Sequence, residues 1–141
     1  MKLNEFTIGQ EFISKPFHLT KEKIQEFASE YDPQFLHIDD EKANQSRFNG
    51  IIASGMHTLA ISFKLWVEEG KYGEDVIAGT GMNNIKYIKP VYPDDTLHTV
   101  IKVIDKQARK DDTGILTVKL STYNQHERKV LEGELSALMK R

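Results

Sequence analysis

The chain has 141 residues, a formal net charge of −2 and no cysteine. That length suits one domain. The charge argues against the concentrated basic face of a nucleic-acid binder, and the missing cysteines remove disulfides, thiolate metal sites and cysteine nucleophiles. No apolar run approaches the roughly 20 residues that cross a bilayer. The opening MKLNEFTIGQEF lacks the apolar centre of a signal peptide. The expectation is a soluble, cytoplasmic single domain over residues 1–141.

In chain order, FTIGQEFISKPFHL (6–19) alternates loosely around Gly9 and Pro16 and reads as a short strand or hairpin. TKEKIQEFASEYD then reads as a helix. Thr20 is a plausible N-cap with Glu22 in the first turn. Ile24, Phe27, Ala28 and Tyr31 follow the i, i+3, i+4, i+7 spacing of one apolar face. Pro33 disfavours the helical conformation at Asp32, so the helix should stop there with the Asp32 side chain free.

DDEKANQSRF (39–48) suits one short polar helical turn, and NGIIASG (49–55) is a small-residue loop between glycines. MHTLAISFKLWVEEG follows as a second helix. Met56, Leu59, Ala60, Phe63, Trp66 and Val67 share one face, with Ile61 and Leu65 off it. A helix apolar over more than half its circumference is expected to be wrapped by the fold. Gly70 supplies its C-terminal stop.

From residue 76 onward the period is two. MNNIKYIK (82–89), TLHTVIKVID (96–105), ILTVKLSTY (115–123) and KVLEGELSALM (129–139) read as strands joined by turn-rich connectors. Early helices and late consecutive strands imply an α+β fold in which an antiparallel meander curls around the long helix.

The candidate chemistry sits in YDPQFLH (31–37). A carboxylate, Asp32, and an imidazole, His37, flank a kink. Sharing one water, such a pair can remove a proton from it and return one to a neighbouring carbon, as hydration of a conjugated double bond requires. The competing reading is an Asp-Pro turn and a structural histidine. Gly55 opens the long helix, where backbone amides lack intrahelical acceptors and attract developing negative charge. Its amide suits a thioester oxygen, or the glycine simply serves a tight turn.

Other chemistries find less support. ASGMH around Ser54 lacks the leading glycine of a nucleophile elbow. His18, His57, His98 and His126 have no zinc-site spacing, so no metal is expected. Gly79 and Gly81 precede a strand, not a helix, which argues against a dinucleotide loop. Lys86, Lys89, Lys102, Lys106, Arg109 and Lys110 are either solvated strand edges or a landing place for an anionic ligand.

FASEYDPQFLHIDDEKA, FNGIIASGMHT and IKYIKPVYPDDTL together resemble the MaoC-like family, which includes the (R)-specific enoyl-CoA hydratases. The resemblance runs from TIGQEF to VLEGELSAL. It implies the hot-dog fold, a curved antiparallel sheet around one long helix. The family signature is roughly D-x-N-P-x-H followed by a helix opening with H-G. By that resemblance Asp32 and His37 are the catalytic pair, Asp32 the main base, and Gly55 binds the thioester oxygen.

There are departures from the signature. Gln34 and Phe35 stand where it has Asn and Pro, and Ser54 replaces the histidine before the glycine. Phe63 occupies the position of a serine that supports the catalytic histidine, with Ser62 beside it. The resemblance further implies a homodimer, no metal or redox cofactor, and an acyl-CoA or acyl-carrier thioester as substrate. Phe35, Leu36, Phe48, Ile51 and Met56 are candidates for the acyl pocket or, equally, for plain core; Ser54 is a further substrate-binding candidate, and Lys86 and Lys89 are candidates for the phosphates of coenzyme A. Thioester hydrolysis and non-catalytic acyl-CoA binding are the alternative functions. The helix carries no acid before Glu68, which disfavours hydrolysis.

Overall fold

The computed structural model describes residues 1–141. It has the expected α+β architecture: four helices and a strongly curved antiparallel sheet. The helices are α1 (Lys21–Tyr31), α2 (Phe35–Ile38), α3 (Asp40–Asn44) and α4 (Gly55–Glu68). The strands are β1 (Glu11–Ile13), β2 (Phe17–His18), β3 (Val76–Tyr87), β4 (Thr96–Ala108), β5 (Thr113–Tyr123) and β6 (Lys129–Lys140).

Local chemistry sets the helix ends. The Thr20 hydroxyl accepts from the Lys23 amide and caps α1. At the other end Asp32 leaves the helix with φ −154° and ψ 72°, as its place before Pro33 demands. The polar turn expected over 39–48 is α3, capped by the Asp39 side chain on the Lys42 amide. After α4, Gly70 adopts φ 74°, the left-handed conformation that ends a helix cheaply only with glycine. The short α2 has no amphipathic period of its own and is created by the Pro33 kink and its contacts with the loop at 52.

Long-range pairing departs from the meander. The sheet order is β1-β4-β5-β6-β3, with β2 also on β4. Residues 6–19 therefore form no hairpin, because β1 and β2 both pair antiparallel with β4. Strand β3 crosses to the far edge and pairs with β6. The crossing is anchored where the Ile88 amide donates to the Val130 carbonyl. Three register irregularities bend β3, the second of them between Gly79 and Gly81.

Helix α4 lies in the concave side of the sheet, but not on the face that hydropathy suggested. Thr58, Ile61, Ser62, Leu65 and Trp66 are buried, whereas Met56, Phe63 and Val67 are exposed. The reason is a polar contact hidden in the core. The Ser62 hydroxyl donates to the Thr58 carbonyl and lies 2.6 Å from the Thr122 hydroxyl, which is 2.7 Å from Thr99. These hydroxyls satisfy one another, so the helix turns small polar residues inward at no loss of hydrogen bonding. Ile61 and Leu65 pack with Leu19, Ile24, Val91 and Leu131. Trp66 joins Leu3, Phe6 and the inner residues of β4, β5 and β6 in a second cluster.

Gly114 of β5 marks a close approach. A Cβ there lies 2.7 Å from the Gln107 carbonyl oxygen and also strikes Leu3. Backbone cannot yield as a flexible side chain can. Gly114→Ala should therefore lower unfolding free energy by about 1–3 kcal/mol, the range for overpacking. Urea unfolding of both proteins measures it; an unchanged midpoint contradicts the contact.

Candidate active site

The loop at Ile52–Gly55 meets the kink at residues 31–37. The Ile52 amide donates to the Leu36 carbonyl, and the Ala53 amide donates to Val91. His37 is 6% exposed. Its Nδ1 lies 2.7 Å from the Ile52 carbonyl oxygen. A carbonyl only accepts, so Nδ1 carries the hydrogen and Nε2 is left for chemistry. That Nε2 lies 3.2 Å from Asp32 Oδ2.

Asp32 is held from three sides. The Ser54 hydroxyl donates to Oδ2 at 2.6 Å, and the Gln34 side-chain amide donates to Oδ1 at 2.6 Å. The Ser54 hydroxyl does most to hold the Asp32 carboxyl below the usual carboxylate range; burial opposes it, and Gln34 and His37 assist it. Asp32 is thus a carboxylate at neutral pH. The bond also redirects a cap. Ser54 stands at the N-cap of α4, where a serine hydroxyl ordinarily accepts from the first turn, yet it makes no such bond.

The Ser54 carbonyl takes the amides of His57 and Thr58, while the Gly55 amide has no hydrogen-bond partner. It sits at the positive end of a 14-residue helix. His37 and Gly55 line the same cavity of about 280 Å³, walled by Phe48, Ile52, Thr58 and Tyr87 and extending to Lys89 and Pro90. A Cβ on Gly55 lies 2.8 Å from the Tyr87 ring. Glycine at 55 therefore lets Tyr87 pack flat against the helix start.

The structure brings Asp32, His37, Ser54 and Gly55 together and leaves other expected residues apart. Ser54 reaches Asp32 and is not on the cavity wall. Ile51 is buried in the second core cluster. Phe35 and Met56 are exposed, because the α2 and α4 faces that carry them turn outward. Lys89 is on the cavity rim, but Lys86 lies in a separate cleft with Lys119, Glu132 and Glu134, since the bulge at Asn83/Lys86 sets it on the outer side of β3. Among the acyl-pocket candidates, Phe48 lines the cavity and Leu36 does not. Ser62 is spent on Thr58 and Thr122, so support for His37 comes from the Ile52 carbonyl instead. No side-chain pattern announces a backbone acceptor. Thr58, Tyr87 and Val130 were not singled out, since the place of Thr58 depends on the rotation of α4 and that of Tyr87 and Val130 on the β3 crossing.

The geometry sets an imidazole–carboxylate pair and a helix-terminal amide beside one cavity. Residues 4–124 match the family model described as a MaoC like domain, and the chain belongs to that family. It is 64% identical over 141 residues to the uncharacterized protein YdeM of Bacillus subtilis strain 168, each chain covered completely. The crystal structure of the MaoC-like dehydratase from Rhodospirillum rubrum superposes with a TM-score of 0.91 at 32% identity, covering 100% of this chain and 97% of that one. The unliganded R-hydratase PhaJ1 of Pseudomonas aeruginosa shares the fold with a TM-score of 0.75 at 22% identity, covering 99% and 84%. The sheet wrapped around α4 is thus the hot-dog fold of the MaoC-like dehydratases. No helix is long and apolar enough to cross a membrane.

Ser54→Ala removes the main donor to Asp32 Oδ2. The Asp32 pKa should rise toward the ordinary carboxylate value, as read by carbon NMR titration of the side-chain carboxyl. The depressed pKa also adds native stability that is present above the unfolded-state pKa and lost as pH falls through the folded one. The variant should therefore lose stability at neutral pH and show a shallower acid dependence. An Asp32 titration identical to wild type contradicts the assignment.

Proposed function

We propose that the protein is a hydro-lyase that adds water to the double bond of a trans-2-enoyl thioester to give an (R)-3-hydroxyacyl thioester, or runs the reverse dehydration. The observation that carries this reading is the His37–Asp32 pair beside a cavity that also holds an unpaired helix-terminal amide at Gly55. A water in the cavity is oriented by His37 Nε2, which lies 3.2 Å from the Asp32 carboxylate behind it. As its oxygen bonds to C3, the pair takes one proton; the same pair then delivers a proton to C2. The electron pair of the double bond passes transiently to the thioester oxygen, where the Gly55 amide offsets the charge. One water is consumed, and no redox or metal cofactor enters.

The sequence resemblance assigned the main base role to Asp32. The Ser54 and Gln34 donors make it a weaker base than a free carboxylate, and it is not on the cavity wall. This supports a larger share of proton handling by His37, with Asp32 as the anion that stabilises the imidazolium. Either way the two act as one unit.

The same reading includes a homodimer. Strand β3 is a 12-residue edge strand exposed along most of its length, and such an edge invites pairing. Beside it Phe63, Val67, Val76 and Met82 line an apolar groove of about 410 Å³.

Purified protein mixed with crotonyl-CoA should consume the conjugated thioester without releasing free thiol. Asp32→Asn and His37→Ala should each lose at least about 100-fold in kcat, the lower bound for positioned acid–base groups. Thiol release would mean hydrolysis, and binding without turnover would mean an acyl-CoA binding module; either overturns the proposal. So does equal hydration by wild type and both variants.

A further inference from the structure

The side chain of His57 takes no part in the chemistry above. It stands in the first turn of α4, two residues after Gly55, and is 8% exposed. Its ring lies flat on Phe27 of α1, with centroids 4.3 Å apart and planes 5° from parallel. Phe27 in turn packs on Tyr31, the last residue of α1, with centroids 5.1 Å apart. The His57 Nδ1 is buried and has no hydrogen-bond partner.

This stack closes a circuit of contacts through the site. The Asp32 amide donates to the carbonyl of Ala28, the neighbour of Phe27 in the chain. The Asp32 carboxylate accepts from the Ser54 hydroxyl, and the Ser54 carbonyl accepts from the His57 amide. The His57 ring then returns to Phe27. Away from the site, Ile24 of α1 shares a core cluster with Ile61 and Leu65 of α4. Near the site, the ring pair joins the same two helices.

The circuit suits only a neutral imidazole. Whichever tautomer the neutral ring takes, the cation carries an N–H at Nδ1, where no acceptor is present. Burial disfavours that charge, and Lys23 of α1 repels it; both hold the His57 pKa below the ordinary histidine value. The positive end of α4 acts in the same sense. No acid compensates. Residues 49–63 contain none, Asp32 is engaged by Ser54, Gln34 and His37, and Glu26 and Glu30 of α1 are exposed to solvent. The face of Phe27 attracts a cation, but it offers the buried N–H no acceptor.

We propose that His57 is a positioning residue: as a neutral ring on Phe27 it holds the end of α1, with Asp32, against the start of α4, with Gly55, and as a cation it releases them. The proposal rests on the hydro-lyase reading only for what the aligned groups do.

Two measurements test it, and the first needs no turnover. The His57 imidazole and the Gly55 amide of wild type are followed by NMR from about pH 8 to about pH 5. The Gly55 amide should show an inflection at the His57 midpoint, below the ordinary histidine value; without one, the proposal is overturned. In His57→Phe, which keeps a ring on Phe27 but takes no proton, that inflection should vanish, and its persistence also overturns the proposal. If the larger ring prevents folding, His57→Gln carries the same readings. The second measurement is hydration of crotonyl-CoA against pH, each protein relative to its own kcat/KM at about pH 8. With two ionisations the acid limb of wild type should reach about 100-fold per pH unit, and with one that of His57→Phe about tenfold. Parallel limbs overturn the proposal. If wild type hydrates nothing at any pH, the hydro-lyase reading fails and the NMR titration still decides the role of His57.

Discussion

Four consecutive residues, Ile52 to Gly55, hold the site together. Ile52 gives its carbonyl to His37 Nδ1, Ser54 gives its hydroxyl to Asp32, and Gly55 presents a free amide at the start of α4. The segment is itself fixed by backbone bonds to Leu36 and Val91. A displacement of this loop would disturb the tautomer of His37, the ionisation of Asp32 and the helix terminus at once. The sheet and the buried face of α4 position that loop, and the Ser62–Thr122–Thr99 hydroxyl chain sets the rotation of the helix about its own axis.

Ser54 shows how one side chain can serve one role by abandoning another. A serine at an N-cap normally satisfies an amide of its own helix. Here its hydroxyl goes to Asp32, and the carbonyl of the same residue accepts the amides of His57 and Thr58. The carboxylate is stabilised in its charged form and the Gly55 amide is left without an internal acceptor. Gln34, where the family signature has asparagine, adds a donor on the other carboxylate oxygen. Both residues that depart from the signature here, Gln34 and Ser54, hold Asp32.

What the sequence made legible was local. Thr20 as a cap, the end of α1 before Pro33, the polar turn of α3 and the glycine after α4 follow from residue chemistry within a few positions. The Asp32–His37 pair was legible through spacing and resemblance. The inward face of α4 was not, because apolar residues lie on both sides of that helix and the decisive inward groups are the hydroxyls of Thr58 and Ser62. The partner of β3 was not legible either, since alternation identifies a strand but says nothing of its neighbour. That crossing decides which residues wall the cavity, so Tyr87 and Val130 were missed and Ile51 and Met56 were expected there.

The central claim is that one imidazole–carboxylate unit, on one side of the cavity, handles both protons of the reaction. The most direct measurement is hydration of a trans-2-enoyl thioester in deuterium oxide, with the relative configuration at C2 and C3 read by NMR. A single unit predicts that deuterium and hydroxyl join the same face of the double bond. Addition to opposite faces would require a second acid–base group elsewhere and would contradict the account.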